Sequence, residues 1–337
     1  MIKFYKILFF NSMILGTLIS ISSYSWFSMW MGLEINLLSI IPLMNSSKNM
    51  FPAESSLKYF ITQAMASTII LFSIIMMINK AEFISLNYNY FMIMIMNSAL
   101  LTKMGAAPFH YWFPEVMEGL NWMNCLIMLT WQKIAPMIIF MYNMKMTMFI
   151  SCIIIISSLI SGILGMNQIS LRKILAYSSI NHISWMISSM INSQSIWLIY
   201  FTTYSIISIN IVMIFYYLNT YYLKQLFNTM NSNKLIKFFF MLNFLSLGGL
   251  PPFLGFMPKW LTINNLILSK MFMISAVLIV FTLITLYFYL RITFSTMMIN
   301  SSEILLLKSP LNSFTLFFSN FISLSGLLAC TMMFNFF

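Results

Sequence analysis

The chain has 337 residues, 61% hydrophobic and 7% charged, where an ordinary soluble domain carries about 25% charged residues, so it cannot cover itself with a polar surface. Its 17 Lys and Arg against 6 acids, all of them Glu, give a formal +11, yet the cations are scattered singly between apolar runs, and with no clustered basic face a nucleic-acid binder is excluded. Cys125, Cys152 and Cys330 stand far apart with no CxxC pair, so no iron–sulfur or zinc cradle can be drawn.

Apolar runs of about 20 residues recur from end to end, each long enough to cross a hydrocarbon core of about 30 Å as a helix. The reading is an all-α, polytopic membrane protein of about eleven transmembrane helices. The first segment, MIKFYKILFFNSMILG, starts like a signal peptide, but no small-residue cleavage site follows, so it is read as a retained first helix. Nor is it an Arg-rich presequence. In order, the spans fall at about 4–21, 25–44, 55–79, 89–112, 120–142, 147–166, 171–191, 194–218, 236–268, 271–298 and 313–336. Only about 45–54, 219–235 and 299–312 leave room for a small extramembrane element.

Heavy use of Met (34) and Phe (33), with Ile, Asn and Tyr abundant and only two Arg, matches AT-rich codons and an animal mitochondrial code. A chain made inside the organelle needs no import signal. With eleven spans, Lys3, Lys6, Lys48, Lys58, Arg172, Lys173, Lys224, Lys234, Lys237 and Lys308 fall on the N-terminal side, and Lys80, Lys145 and Lys270 on the other. The positive-inside rule then puts the N-terminus in the matrix and the C-terminus in the intermembrane space.

The fourth span holds LTKMGAAPFHYWFPE and the ninth LSLGGLPPFLGFMPK. They align without gaps, matching Gly105 to Gly249, Pro108 to Pro252, Phe109 to Phe253 and Pro114 to Pro258. A proline inside a helix removes a backbone donor at a cost of about 3 kcal/mol or more, which lipid-facing backbone could not tolerate. Paired broken helices at membrane depth line cavities in transporters built from repeats. Five spans, an odd number, separate the copies, so they are inverted relative to each other. The plainer alternative is two Pro-kinked helices with a chance resemblance.

Ionisable groups deep in apolar runs are candidates for function: Glu34, Lys103 before the first break, Lys133, His182, and Lys259 after the second break. A packed bundle could bring Glu34, Lys103 and Lys133 together. A lysine near a span end can instead snorkel to headgroups, the account expected for Lys58, Lys80 and Lys237. His182 also reads as a hydrogen-bonded core histidine, and His110 equally as interfacial structure or function. Glu115 and Glu118 are expected on a solvated loop face, and Arg291 as an interface anchor. Redox chemistry finds no residues: there is no GxGxxG after a strand, and two separated histidines do not suit a haem.

Taken in order, WMGLEINLLSIIPLM, ESSLKYFITQA, GAAPFHYWFPEVMEGLNWMN, TWQKIAP, NQISLRKILAYSSINHISWM, QSIWLIYF and NFLSLGGLPPFLGFMPKW resemble the antiporter-like subunits of respiratory complex I, and among them the NADH dehydrogenase subunit 2 family of insect mitochondria. The likeness runs from about residue 10 to 295. It implies two inverted five-helix repeats, each with a discontinuous helix, here 1–142 and 147–298, followed by a C-terminal helix in 299–337. It also implies a proton relay in which Glu34 pairs with Lys103, Lys133 is the central lysine, His182 a bridge and Lys259 the terminal lysine. Against longer bacterial relatives the chain looks three helices short at the N-terminus.

The implied activity is proton pumping across the inner membrane, coupled to electron transfer from NADH to ubiquinone on other chains. No cofactor is expected on this chain. NADH, FMN, iron–sulfur clusters and ubiquinone are expected on partner subunits, and the implied partners are the core and accessory subunits of complex I, neighbouring antiporter-like subunits and membrane lipids. Two alternatives stand beside this reading. An independent cation/proton antiporter would work when reconstituted alone, and a purely structural subunit would lose assembly rather than pumping when Lys133 is neutralised.

Overall fold

The computed structural model describes residues 4–45, 50–79, 86–230, 234–298 and 320–321. The expected last span, apart from the helical Asn320 and Phe321, lies outside the described residues, as do Cys330, Lys3, Lys48, Lys80 and Lys308. The described chain is helical, and its β pairing is the single bridge between Ser170 and Tyr222. It divides into two compact units, Met1–Ile153 and Ile154–Phe337.

The first unit contains α1 (Phe4–Ser22), α2 (Trp26–Met44), α3 (Phe51–Asn79), α4 (Leu86–Met104), α5 (Trp112–Gly119), α6 (Trp122–Leu129) and α7 (Trp131–Tyr142). Its tightest crossing joins α1 to α2. A Cβ on Gly16 would lie 2.8 Å from the Asn36 amide nitrogen, and one on Gly32 would lie 2.6 Å from that of Ser20. Small residues four apart let two backbones approach this closely, which supplies packing where lipid offers no hydrophobic driving force. Helix α7 packs on α4, α1 and α2, and α3 packs on α2, α4 and α5.

Helix α8 (Thr147–Met166) leads into the second unit, with α9 (Leu171–Met190), α10 (Gln194–Leu218), the short α11 (Leu223–Met230), α12 (Lys234–Gly248), α13 (Phe256–Leu268) and α14 (Phe272–Met298). Helix α11 fills the expected extramembrane stretch before α12. Helix α9 packs against α10, α13 and α14 and is buried on almost every side. It nevertheless carries five serines, Asn181 and His182. Ser178, Ser179, Ser184, Ser188 and Ser189 each donate to the carbonyl three residues back at 2.6–2.8 Å, so a polar helix can be buried without orphaned hydroxyls.

Among the described residues, seven helical stretches are long and apolar enough to span a membrane: Phe4–Ser22, Trp26–Met44, Phe51–Ile78, Trp122–Tyr142, Thr147–Met166, Gln194–Leu218 and Phe272–Met298. Three expected spans among the described residues are absent from this set: the fourth and ninth are split into shorter helices, and the seventh is the single helix α9, whose serines, Asn181, His182, Arg172 and Lys173 make it too polar. Exposed Leu57, Ile61, Met65 and Phe72 along α3 suit a lipid solvent.

Several of the cations expected to snorkel or to anchor at the interface also have protein partners. Lys58 pairs with Glu54 and with Glu115 at 3.1 Å each, tying α3 to α5, so Glu115 and Glu118 stand on a helix rather than a loop. The Arg291 guanidinium donates to the Met166 carbonyl at 2.6 Å and the Lys237 ammonium to that of Met297 at 3.4 Å. In each case a cation meets the carbonyls left over in a helix's last turn, where the dipole is negative.

Candidate functional site

Both breaks are built by a glycine. Gly105 has φ +74° and Gly249 φ +79°, left-handed backbone open to glycine without a Cβ penalty. At the first, the Gly105 amide donates to the Thr102 carbonyl and the Ala106 amide to that of Leu101, at 3.2 and 3.0 Å. At the second, Gly249 donates to Ser246 and Leu250 to Leu245, at 3.0 and 3.4 Å. This pair of bonds is the Schellman stop of a helix. The helices therefore end at Met104 and Gly248, three or four residues before the prolines that signal the breaks in the sequence. Gly105, Ala106 and Ala107 are buried while Pro108, Pro251 and Pro252 are exposed. The glycine end of the first break is therefore buried and that of the second half-buried, while the proline tips, which lack an N–H to satisfy, are exposed.

The first break leaves Lys103 in the last turn of α4, 7% exposed. The Thr102 carbonyl beside it also accepts the Trp112 indole N–H at 3.0 Å from across the break. Lys133, 1% exposed, comes from α7, with its ammonium 5.6 Å from the centre of the Phe113 ring, within the range at which an aromatic face attracts a cation. The span expected at 120–142 is divided at Thr130 into α6 and α7, and Pro136 inside α7 cannot donate to the Gln132 carbonyl. Lys133 thus lies on a helix interrupted on one side and proline-weakened on the other.

Lys103 and Lys133 line one small cavity of about 20 Å³ together with Asn36, Tyr59, Gln63 and Gln132. Glu34 is half-buried on α2 and does not line it, although its neighbours Leu33 and Asn36 do. Glu34 and Lys103 make no direct ion pair, but the carboxylate is near enough for its charge to act on the amine. His110 is 1% exposed and lies inside the break, with Nδ1 3.3 Å from the Pro108 carbonyl.

In the second unit Lys259, 6% exposed, reaches back from α13 to the end of α12. Its ammonium donates to the Gly248 carbonyl at 2.8 Å and the Leu247 carbonyl at 3.4 Å, and it lies 5.8 Å from the centre of the Trp185 ring. A Cβ on Gly249 would fall 2.8–3.1 Å from three atoms of that lysine side chain, so the glycine serves both the left-handed turn and the lysine's seat. His182 is one turn from Trp185 on α9. Its Nδ1 is 2.9 Å from the Tyr200 hydroxyl and its ring 5.0 Å from that of Tyr204. The site residues thus separate into Glu34, Lys103 and Lys133 in the first unit and His182 and Lys259 in the second.

Sequence reasoning missed Asn36, Tyr59, Gln63 and Gln132 because a search for ionisable groups passes over neutral polar ones. A signal was present: Tyr59, Gln63 and Ser67 recur every fourth residue on one face of α3. Among the described residues no three His, Cys, Asp or Glu side chains gather where they could hold a metal ion.

Residues 23–285 match the family model described as NADH:quinone oxidoreductase/Mrp antiporter, TM. The chain is 50% identical to NADH-ubiquinone oxidoreductase chain 2 of Anopheles gambiae over 333 residues, 97% of each chain. It is 48% identical to that of Locusta migratoria over 298 residues, 88% of this chain and 87% of the other. In fold it is similar to a chain of respiratory complex I from Thermus thermophilus with bound Aureothin, with a TM-score of 0.87 at 20% identity, covering 96% of this chain and 78% of that one. A family model across most of the chain and relatives matched at half their residues agree with the broken-helix architecture, and the chain belongs to the NADH-ubiquinone oxidoreductase chain 2 family.

Proposed function

We propose that the chain is a proton-translocating, antiporter-like membrane-arm subunit of mitochondrial complex I. In this reading Glu34, Lys103, Lys133, His182 and Lys259 pass protons, while electrons travel from NADH to ubiquinone on other subunits that carry FMN and the iron–sulfur clusters. The chain itself holds no redox group. It is a multi-pass protein of the inner membrane with its N-terminus in the matrix and its C-terminus in the intermembrane space, and segments 1–142 and 147–298 are its two inverted repeats. Its partners are other complex I subunits and membrane lipids.

The observation that carries the reading is the burial of three lysines, each at a helix interruption: Lys103 and Lys259 at the glycine breaks and Lys133 just after Thr130. An ammonium buried at membrane depth is expensive and is retained where it works. A lysine can hold a proton and release it when a neighbouring charge changes, and Glu34 supplies such a charge to Lys103. A cavity beside two of the lysines gives a proton somewhere to go that is not lipid.

The test is Lys133→Met in the assembled complex. Met keeps the length and apolar stem of Lys but deletes the titrating group. Proton uptake per NADH in sealed vesicles should fall while NADH oxidation by an artificial acceptor stays the same. An unchanged ratio at an unchanged rate of ubiquinone reduction would remove Lys133 from the path, and loss of assembly alone would favour a structural role. Proton exchange by the chain reconstituted alone would favour an independent antiporter.

A further inference from the structure

Neutral polar side chains that the relay does not use surround the cavity of the first unit. Asn36 Nδ2 donates to Gln132 Oε1 at 3.2 Å and Gln132 Nε2 donates back to Asn36 Oδ1 at 2.9 Å. The Tyr59 hydroxyl also donates to Gln132 Oε1, at 3.3 Å. These three bonds fix the direction of the Gln132 amide and leave it none of the freedom a relay group needs. Gln63 differs. It stands one turn from Tyr59 on α3, is 4% exposed and lines the same cavity as Lys103 and Lys133, yet its Nε2 has no protein partner.

A buried amide N–H without an acceptor is a group that a native site normally satisfies. The cavity's volume of about 20 Å³ is that of about one water molecule, and a water needs two to four polar partners. Gln63, Lys103, Lys133 and Tyr59 supply them. A metal cation is disfavoured here, since two amines line the cavity and the amide oxygens of Asn36 and Gln132 already accept hydrogen bonds.

Resting on the relay reading above, we infer that Gln63 is a positioning residue: its amide N–H holds one water molecule in the cavity between Lys103 and Lys133. The amide donates into one lone pair of the water oxygen. The second lone pair accepts a proton from whichever lysine is an ammonium, and as that O–H bond forms, another O–H of the same water breaks and its proton passes to the neutral amine of the other lysine. One N–H bond is broken and one made, the water is regenerated, and the net charge is unchanged. Held by the amide, the water keeps its second lone pair toward the ammonium and a hydrogen toward the neutral amine.

The experiment compares Gln63→Leu, Gln63→Asn and unaltered protein in the assembled complex. Gln63→Leu, close in size but without the N–H, should slow coupled ubiquinone reduction about fivefold, the effect of one lost hydrogen bond, and raise the solvent deuterium isotope effect. NADH oxidation by an artificial acceptor should be unchanged. Gln63→Asn, which keeps the donor, should recover part of the rate and restore the isotope effect. Wild-type rate and isotope effect in Gln63→Leu would overturn the inference, as would activity that depends on chloride, which would make the cavity an anion site. If Gln63→Leu does not assemble, an experimental map of the unaltered complex decides: density within hydrogen-bond distance of Gln63 Nε2 and both amines supports the inference, and a Gln63 side chain turned away overturns it. Impaired pumping in Lys133→Met beside a wild-type Gln63→Leu would sink this inference alone, whereas unimpaired pumping in Lys133→Met would remove the relay beneath it.

Discussion

The two glycine breaks share a backbone and differ in where the lysine comes from. In the gapless alignment Lys103 of the first break falls opposite Leu247, and Lys259 of the second falls opposite Glu115. The first break takes its buried amine from the helix that ends there, so Lys103 faces the cavity while a neutral indole, that of Trp112, bonds the terminal Thr102 carbonyl. The second takes its amine from the helix that begins beyond the break, and Lys259 itself bonds the terminal carbonyls of Gly248 and Leu247. The position opposite it, Glu115, is turned outward and paired with Lys58. One stop motif can thus present a lysine in two ways: next to a cavity, or as the cap of a helix whose last carbonyls attract a cation.

The comparison is broken most severely at the glycines. Gly249→Ala should be the more damaging of the pair. Both replacements place a non-glycine residue at positive φ, worth about 1–2 kcal/mol, but the new Cβ at Gly249 also strikes the Lys259 side chain at 2.8 Å, whereas at Gly105 it meets the Phe113 Cβ at 3.2 Å. The amount of assembled complex and its thermal inactivation temperature should fall further for Gly249→Ala than for Gly105→Ala. Equal losses would mean that the lysine's seat contributes nothing.

A smaller effect should follow at the cap of the first break. Trp112→Phe keeps most of the ring packing and removes one part-buried hydrogen bond to the Thr102 carbonyl, a loss of about 1 kcal/mol, seen as a modest fall in inactivation temperature with pumping per NADH preserved. A changed pumping ratio would show that the cap is not neutral scaffolding. The least effect is expected from Lys58→Met, since exposed ion pairs contribute little. Assembly and turnover should match the unaltered complex, and a clear loss would give the α3–α5 tie a weight that its exposure does not suggest.

The all-helical membrane architecture was legible because lipid leaves few options: long apolar runs must be helices, and breakers at membrane depth must be breaks. The prolines announced the interruptions, but the helices stop earlier, at Gly105 and Gly249, because the turn itself needs positive φ and the prolines only prevent the helix from resuming. The division at Thr130 was not legible, since threonine is an ordinary helix residue and Pro136 lies six positions later. Among the site residues, burial of Lys103, Lys133, His182 and Lys259 could be read from their place in apolar runs. The amide pair of Asn36 and Gln132 could not, because it joins residues 96 positions apart and either side chain alone looks like a tolerated polar residue. Lys58 shows the converse: a lysine near a span end looks like a snorkelling cation until the fold brings Glu115 beside it.

The central claim is that both modes of presenting a lysine serve one proton path. It is tested most directly by measuring protons taken up per NADH oxidised in sealed vesicles for Lys133→Met and Lys259→Met, each in correctly assembled complex. The account predicts a lowered ratio, or equally slowed coupled turnover, in both variants, with NADH oxidation by an artificial acceptor unchanged. A Lys259→Met complex that is less stable but pumps at the unaltered ratio and rate would contradict it, leaving Lys259 as a helix cap alone.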